Sequence, residues 1–163
     1  MKSIEINDIK KFTQALFVGD AFDKFKLMEA SFDVLTGVKI DGHINDGFIS
    51  DEERNQPEYR EGLVSWGRIK QLCYDTIKGR KVPLKFKIVL KLPDSLVPGF
   101  ISQRGVNFKA EECLGLYANF TFQNNALSCV TGIALKSFVL DKSLENSWDD
   151  FVAAYVGRCC GEK

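Results

Sequence analysis

The stretch Leu84-Lys85-Phe86-Lys87-Ile88-Val89-Leu90-Lys91-Leu92 decides the fold class. Leu84, Phe86, Ile88, Leu90 and Leu92 alternate with Lys85, Lys87, Val89 and Lys91. Successive side chains of a strand point to opposite faces, so this segment is a strand with one apolar and one wet face. A sheet wet on one side is typically antiparallel, with helices covering only its apolar side.

The segments on either side agree with that reading. Upstream, Ser65 caps a helix over 66–78, with Trp66, Ile69, Leu72, Cys73 and Ile77 inward and Gly79 closing it. Residues 46–62 carry few apolar groups and form the longest loop. Residues 25–33 and 38–45 read as two strands joined at Leu35-Thr36-Gly37. In the second, Val38, Ile40, Gly42 and Ile44 alternate with Lys39, Asp41, His43 and Asn45. Before them, Asp8 caps a helix over 9–18, closed by Gly19.

Downstream, Pro93-Asp94-Ser95 opens a short helical segment reaching Gln103. Residues 114–123 and 127–133 form a hairpin across Asn124-Asn125, whose side chains tolerate the positive φ of a tight turn. Leu135–Leu140 reads as a last strand, and Ser143 caps a final helix carrying Leu144, Trp148, Phe151, Val152, Tyr155 and Val156 as one stripe. The expected order is α-β-β-α-β-α-β-β-β-α. This is an α+β fold with a mainly antiparallel sheet of about five to six strands and helices on one face. No linker or repeat divides the chain, so residues 1–163 are expected to form a single domain.

Composition narrows the function classes. The 163 residues include 22 Lys+Arg and 22 Asp+Glu, so the formal net charge is zero. That excludes a strongly basic nucleic-acid tail, and a 45% hydrophobic content excludes disorder. Thirteen Phe accompany four Tyr and two Trp, enough aromatic volume for a sizeable core. A chain of this length buries roughly 68–70% of its extended surface and needs no staple. The five cysteines are scattered, none in a Cys-x-x-Cys pair, and one histidine cannot complete a zinc set. Cys73, Cys113 and Cys129 read as small core hydrophobes. No run reaches the length of a membrane span, and Met1-Lys2-Ser3-Ile4-Glu5 lacks a secretory core. A cytoplasmic protein with free thiols and no membrane association is the expectation.

Chemistry-bearing residues are few. Asp41, His43 and Asn45 share one strand face, where a carboxylate beside an imidazole could orient a general base. Asp41, Asn45 and Glu52 imitate the spacing of a calcium loop. Asp46 stands where such a loop needs glycine, so no metal is assigned. Glycine-rich nucleotide loops, nucleophile elbows and His-Glu-x-x-His pairs are absent from the sequence, and no cofactor is expected. Charge is distributed unevenly. Residues 41–62 hold seven acids against two bases, and residues 68–91 hold eight bases against one acid. That second segment could receive phosphates or an acidic partner. Tyr117 is the single aromatic placed on the polar face, whereas stacking of unpaired bases wants several.

Taken over nearly its whole length, the chain resembles a family of uncharacterised proteins from clostridia-like Gram-positive bacteria. The residues carrying the resemblance are Ile40-Asp41-Gly42-His43, Ser65-Trp66, Ile77-Lys78-Gly79, Phe86-Lys87-Ile88 and Leu140-Asp141-Lys142-Ser143-Leu144, with Trp148. The resemblance implies a bacterial cytoplasmic protein and supplies no activity or site residue. The run helix, two strands, helix, strand is also similar to part of a sliding-clamp domain. By that likeness Lys10, Lys11, Arg68 and Lys70 would face DNA, although a second clamp-like half is not recognisable.

Three functional expectations follow. The first is a non-enzymatic binding module that meets a protein or an anionic ligand through Asp41, His43, Asn45, Lys85, Lys87 and Tyr117. The second is nucleic-acid association through residues 68–91. The third is a small enzyme using His43 with Asp41 as its catalytic pair.

Overall fold

The computed structural model describes residues 1–162. The elements run β1 (Ser3–Ile6), α1 (Ile9–Phe17), β2 (Lys26–Asp33), β3 (Gly37–Asp41), α2 (Asp51–Arg54), α3 (Trp66–Ile77), β4 (Lys85–Lys91), α4 (Val97–Gln103), β5 (Cys113–Gln123), β6 (Ala126–Leu135) and α5 (Ser143–Cys159). One six-stranded sheet has the order β1-β6-β5-β4-β2-β3, and every neighbouring pair is antiparallel. The α+β class with a mainly antiparallel sheet is therefore correct.

The element order differs from the expected one at both ends and within residues 46–62, where Ser50 caps the one-turn helix α2 in the segment expected to be loop. The chain begins with a strand, because Ile4 and Ile6 pair with β6 and continue its inner face. Leu135–Leu140 is not a separate strand. β6 runs on to Leu135 and the chain then leaves the sheet, with Phe138 and Leu140 each 84% exposed. Two apolar positions read as inward, Leu72 and Leu84, are also exposed. The hairpin turn is as expected: Asn124 and Asn125 have φ of 54° and 59°, the pattern of a type I′ turn.

Cross-strand register builds the core in rows. Val38, Phe32, Phe86, Phe122, Leu127 and Ile6 lie side by side across all six strands. The next row holds Ile40, Ala30, Ile88, Phe120, Cys129 and Ile4. Helices α1, α3 and α5 supply the second layer. Trp66 and Trp148 are fully buried there, and each indole N–H is satisfied by a backbone carbonyl, of Leu16 and Tyr117 respectively. Nine of the thirteen Phe are buried, so the phenylalanine excess is accounted for by the core. Buried Cys73 and Cys129 have their thiol pKa values pushed up to about 12, and all five cysteines are free.

The strand expected over 38–45 stops at Asp41 because of Gly42. A β-bulge between Leu27 and Glu29 in β2 pushes the Leu27 carbonyl toward it. A Cβ at position 42 would lie 1.7 Å from that oxygen. Residues 62–65 enter beside this point: Val64 N–H donates to the Gly42 carbonyl, Leu27 N–H to that of Val64, and Ile44 N–H to that of Gly62. Gly42→Ala therefore forces backbone against backbone, an overpacking cost of about 3 kcal/mol. Urea unfolding should show that loss. Gly47→Ala, where the added methyl meets nothing within 4 Å, should stay within about 0.5 kcal/mol of the parent. Equal midpoints for the two variants would refute the close-approach argument.

Candidate functional site

The helices cover one side of the sheet and leave the polar side of its centre open. On that side the register sets Asp41, Glu29, Val89 and Asn119 in one row and Lys39, Ser31, Lys87 and Thr121 in the next. Tyr117 stands opposite Lys91, one row further along. A concavity of about 710 Å³ lies here, lined by Glu29, Ser31, Lys39, Asp41, His43, Lys87, Val89, Tyr117 and Asn119 together with Met28, Ala30 and Ile40.

Four of the six residues proposed from sequence are thus brought together: Asp41, His43, Lys87 and Tyr117. Lys85 sits on the same sheet face but in the row of Asp33 and Gln123, beyond Lys87 and outside the concavity. Asn45 is carried away when the strand stops at Asp41, and it precedes a single 3₁₀ turn at Asp46–Phe48 instead. Glu29, Ser31 and Lys39 were not proposed. Their alternation with buried Ala30 and Phe32, and with Val38 and Ile40, was the signal that could have found them.

Local geometry orders each of these groups. His43 leaves the strand after Gly42, and its backbone N–H turns back to donate to Asp41 Oδ1 at 2.9 Å. The same oxygen lies 2.6 Å from His43 Nδ1, so one carboxylate fixes both backbone and ring. The backbone N–H of His43, followed by its ring, holds the Asp41 carboxyl below the usual carboxylate range. Lys87 Nζ lies 3.5 Å from Glu29 Oε1. Asn119 donates its amide to the Val130 carbonyl. The Tyr117 ring lies over Gly115, where a Cβ would come within 2.5 Å of its hydroxyl oxygen. The site therefore presents two acid–base pairs, one aromatic ring and a nearly buried Val89 at its floor.

The opposed charge segments meet beside this concavity. Lys91 is 7% exposed, and its ammonium donates to Glu61 Oε1 at 2.7 Å and Asp94 Oδ1 at 2.9 Å. Burial lowers its pKa, but these hydrogen bonds and charges outweigh that and leave it raised. Arg68 is held by Glu58 at 3.0 Å and by the Tyr59 hydroxyl. Lys70 is held by Asp23, and Lys78 by Asp75. Counting Lys87 with Glu29, five of the eight bases in 68–91 have an acidic partner. Of the helix bases likened to those of a clamp, Arg68 and Lys70 are engaged in this way. Among the described residues, no group of three His, Cys, Asp or Glu could hold a metal ion. No helix among them is long and apolar enough to cross a membrane.

Because the folded Asp41 pKa is lowered, the turn's contribution is complete above the ordinary Asp value of 3.8 and is lost as pH falls through the lowered one. A carboxyl-detected NMR titration should give Asp41 a midpoint below 3.8. In His43→Ala the midpoint should move part of the way back, since the backbone N–H at position 43 remains. A wild-type midpoint at or above the ordinary value would contradict this turn.

No curated protein and no solved structure matches the chain. A family model described as a family of unknown function, DUF5721, matches residues 15–159, nearly the whole molecule. An uncharacterised family is what the sequence resemblance pointed to, and the chain belongs to this one.

Proposed function

We propose that this chain is a non-enzymatic binding module whose open sheet face receives a partner protein of mixed surface charge. The observation carrying this reading is the concavity on the uncovered side of the sheet, where acids and bases alternate around Tyr117 and Val89. Tyr supplies contact area at small entropic cost and is enriched in interfaces, while charges of both signs select a complementary surface. Glu29 with Lys87 and Asp41 with His43 already hold their orientations, which reduces the ordering cost of association.

The binding reading draws more support than the catalytic one. The side chains of His43 and Asp41 are 63% and 77% exposed, so water competes for any proton they would move. It also draws more support than the nucleic-acid one, since most bases of 68–91 are engaged by acids. The proposal places the protein in the cytoplasm of a clostridia-like Gram-positive bacterium. Five free thiols suit a reducing compartment, and the sequence resemblance suits that origin.

Affinity capture from a clostridial lysate, read by quantitative mass spectrometry, tests the proposal. Tyr117→Ala and Lys87→Glu should each lose the same captured protein by about tenfold or more, the scale of an interface anchor. Lys10→Ala, on the helical side, should retain it. A partner held equally by all three variants, or lost only with Lys10→Ala, would overturn the sheet-face reading.

A further inference from the structure

A second cleft, of about 610 Å³, opens where residues 57–65 and the turn 93–96 cross the end of β2. It shares no lining residue with the sheet-face concavity. Its floor is Lys26, which is 6% exposed. The Lys26 ammonium donates to the Glu58 carbonyl at 2.8 Å and to Ser65 Oγ at 3.1 Å. Both acceptors are uncharged. An ammonium has three protons to donate, so one remains. Among the described residues, no carboxylate lies within ion-pair distance of Lys26.

The other charges of the cleft divide cleanly. Its four acids are each bound to a base: Asp23 to Lys70, Glu58 to Arg68, and Glu61 and Asp94 to Lys91. Its three bases, Lys24, Lys26 and Arg60, have no acidic partner among the described residues. Ser65 accepts from Lys26, which leaves its own hydroxyl proton to give. Pro57, Pro93 and Leu96 supply an apolar wall. A buried ammonium without a counter-ion is costly, and an external anion would supply the missing charge.

We propose that this cleft binds a small organic anion, its carboxylate or phosphate head on Lys26 and Ser65 and its apolar body against Pro57, Pro93 and Leu96. Lys24 and Arg60 at the rim draw the anion in. The volume lies within the ordinary range of small-molecule sites.

The test titrates the full chain with benzoate, phenyl phosphate and the uncharged isostere benzyl alcohol, following backbone amide shifts by NMR at low salt. At least one anion should bind about tenfold or more tightly than benzyl alcohol, the scale expected when a charged head group is recognised. Its shifts should centre on residues 24–26, 57–65 and 93–96. Which anion wins distinguishes a carboxylate from a phosphate ligand. Lys26→Met should abolish the preference. Should that variant unfold, Lys24→Ala with Arg60→Ala, both exposed, should still weaken anion binding several-fold and steepen no other site. Equal binding of the neutral isostere, shifts centred elsewhere, or full anion affinity in a folded Lys26→Met protein would overturn the proposal.

Discussion

The approach of the Leu27 carbonyl to Gly42 is the contact on which the rest of this molecule depends. A side chain at position 42 would collide with backbone, so only glycine lets the bulged end of β2 meet the chain leaving β3. Residues 62–65 use the space so created, hydrogen-bonding to Leu27 and to the 42–44 segment. Two consequences follow from that one junction. On one side, His43 turns back onto Asp41 and enters the open concavity. On the other, Ser65 is set against Lys26, and Trp66 starts α3 with its indole on the Leu16 carbonyl. Both candidate sites and the docking of α3 share one backbone crossing.

Lys26 and Lys91 stand directly opposite each other on the polar sheet face. Like charges in that position repel, and here both are also buried. The fold resolves the conflict unequally. Lys91 receives two carboxylates, Glu61 and Asp94, while Lys26 receives only a carbonyl and a hydroxyl. Replacing a buried pair by apolar groups is often neutral or favourable, so stability alone does not require this arrangement. The asymmetry leaves one charge satisfied and one facing a cleft, which is the reason to look for a ligand at Lys26 rather than at Lys91.

Period-two and helical patterns made most of the fold legible, because they record burial and burial is local along a strand or helix. The alternation in 84–92 and the stripe after Ser143 are where the register and α5 place them. Residues whose fate depends on distant neighbours were not legible. Ile4 and Ile6 carry too short a pattern to announce β1, and their pairing with Cys129 and Leu127 is visible only in three dimensions. Phe138 and Leu140 have strand-like chemistry, but the sheet has no place for them past Leu135. Asp41, His43, Lys87 and Tyr117 line one concavity, as alternation, which assigns faces, leads one to expect. Lys85 shares their face but lies outside the concavity, because alternation assigns faces and not rows. The burial of Lys26 was not legible, because the residues that hold it, Glu58 and Ser65, lie 32 and 39 positions away.

The zero net charge of the sequence averages over two opposed segments that the fold brings into contact. The acidic stretch ending at Glu61 and the basic stretch from Arg68 are joined through Glu58–Arg68 and Glu61–Lys91. Pairs of this kind cancel at a distance within a Debye length of about 8 Å in physiological salt, so they contribute little to steering a ligand. What remains to act on another molecule are the charges outside the pairing. They include Lys39 on the open sheet face and Lys24, Lys26 and Arg60 of the second cleft, none of which has an acidic partner among the described residues. At Lys26 the unpaired charge is also buried, so an external anion has most to offer there.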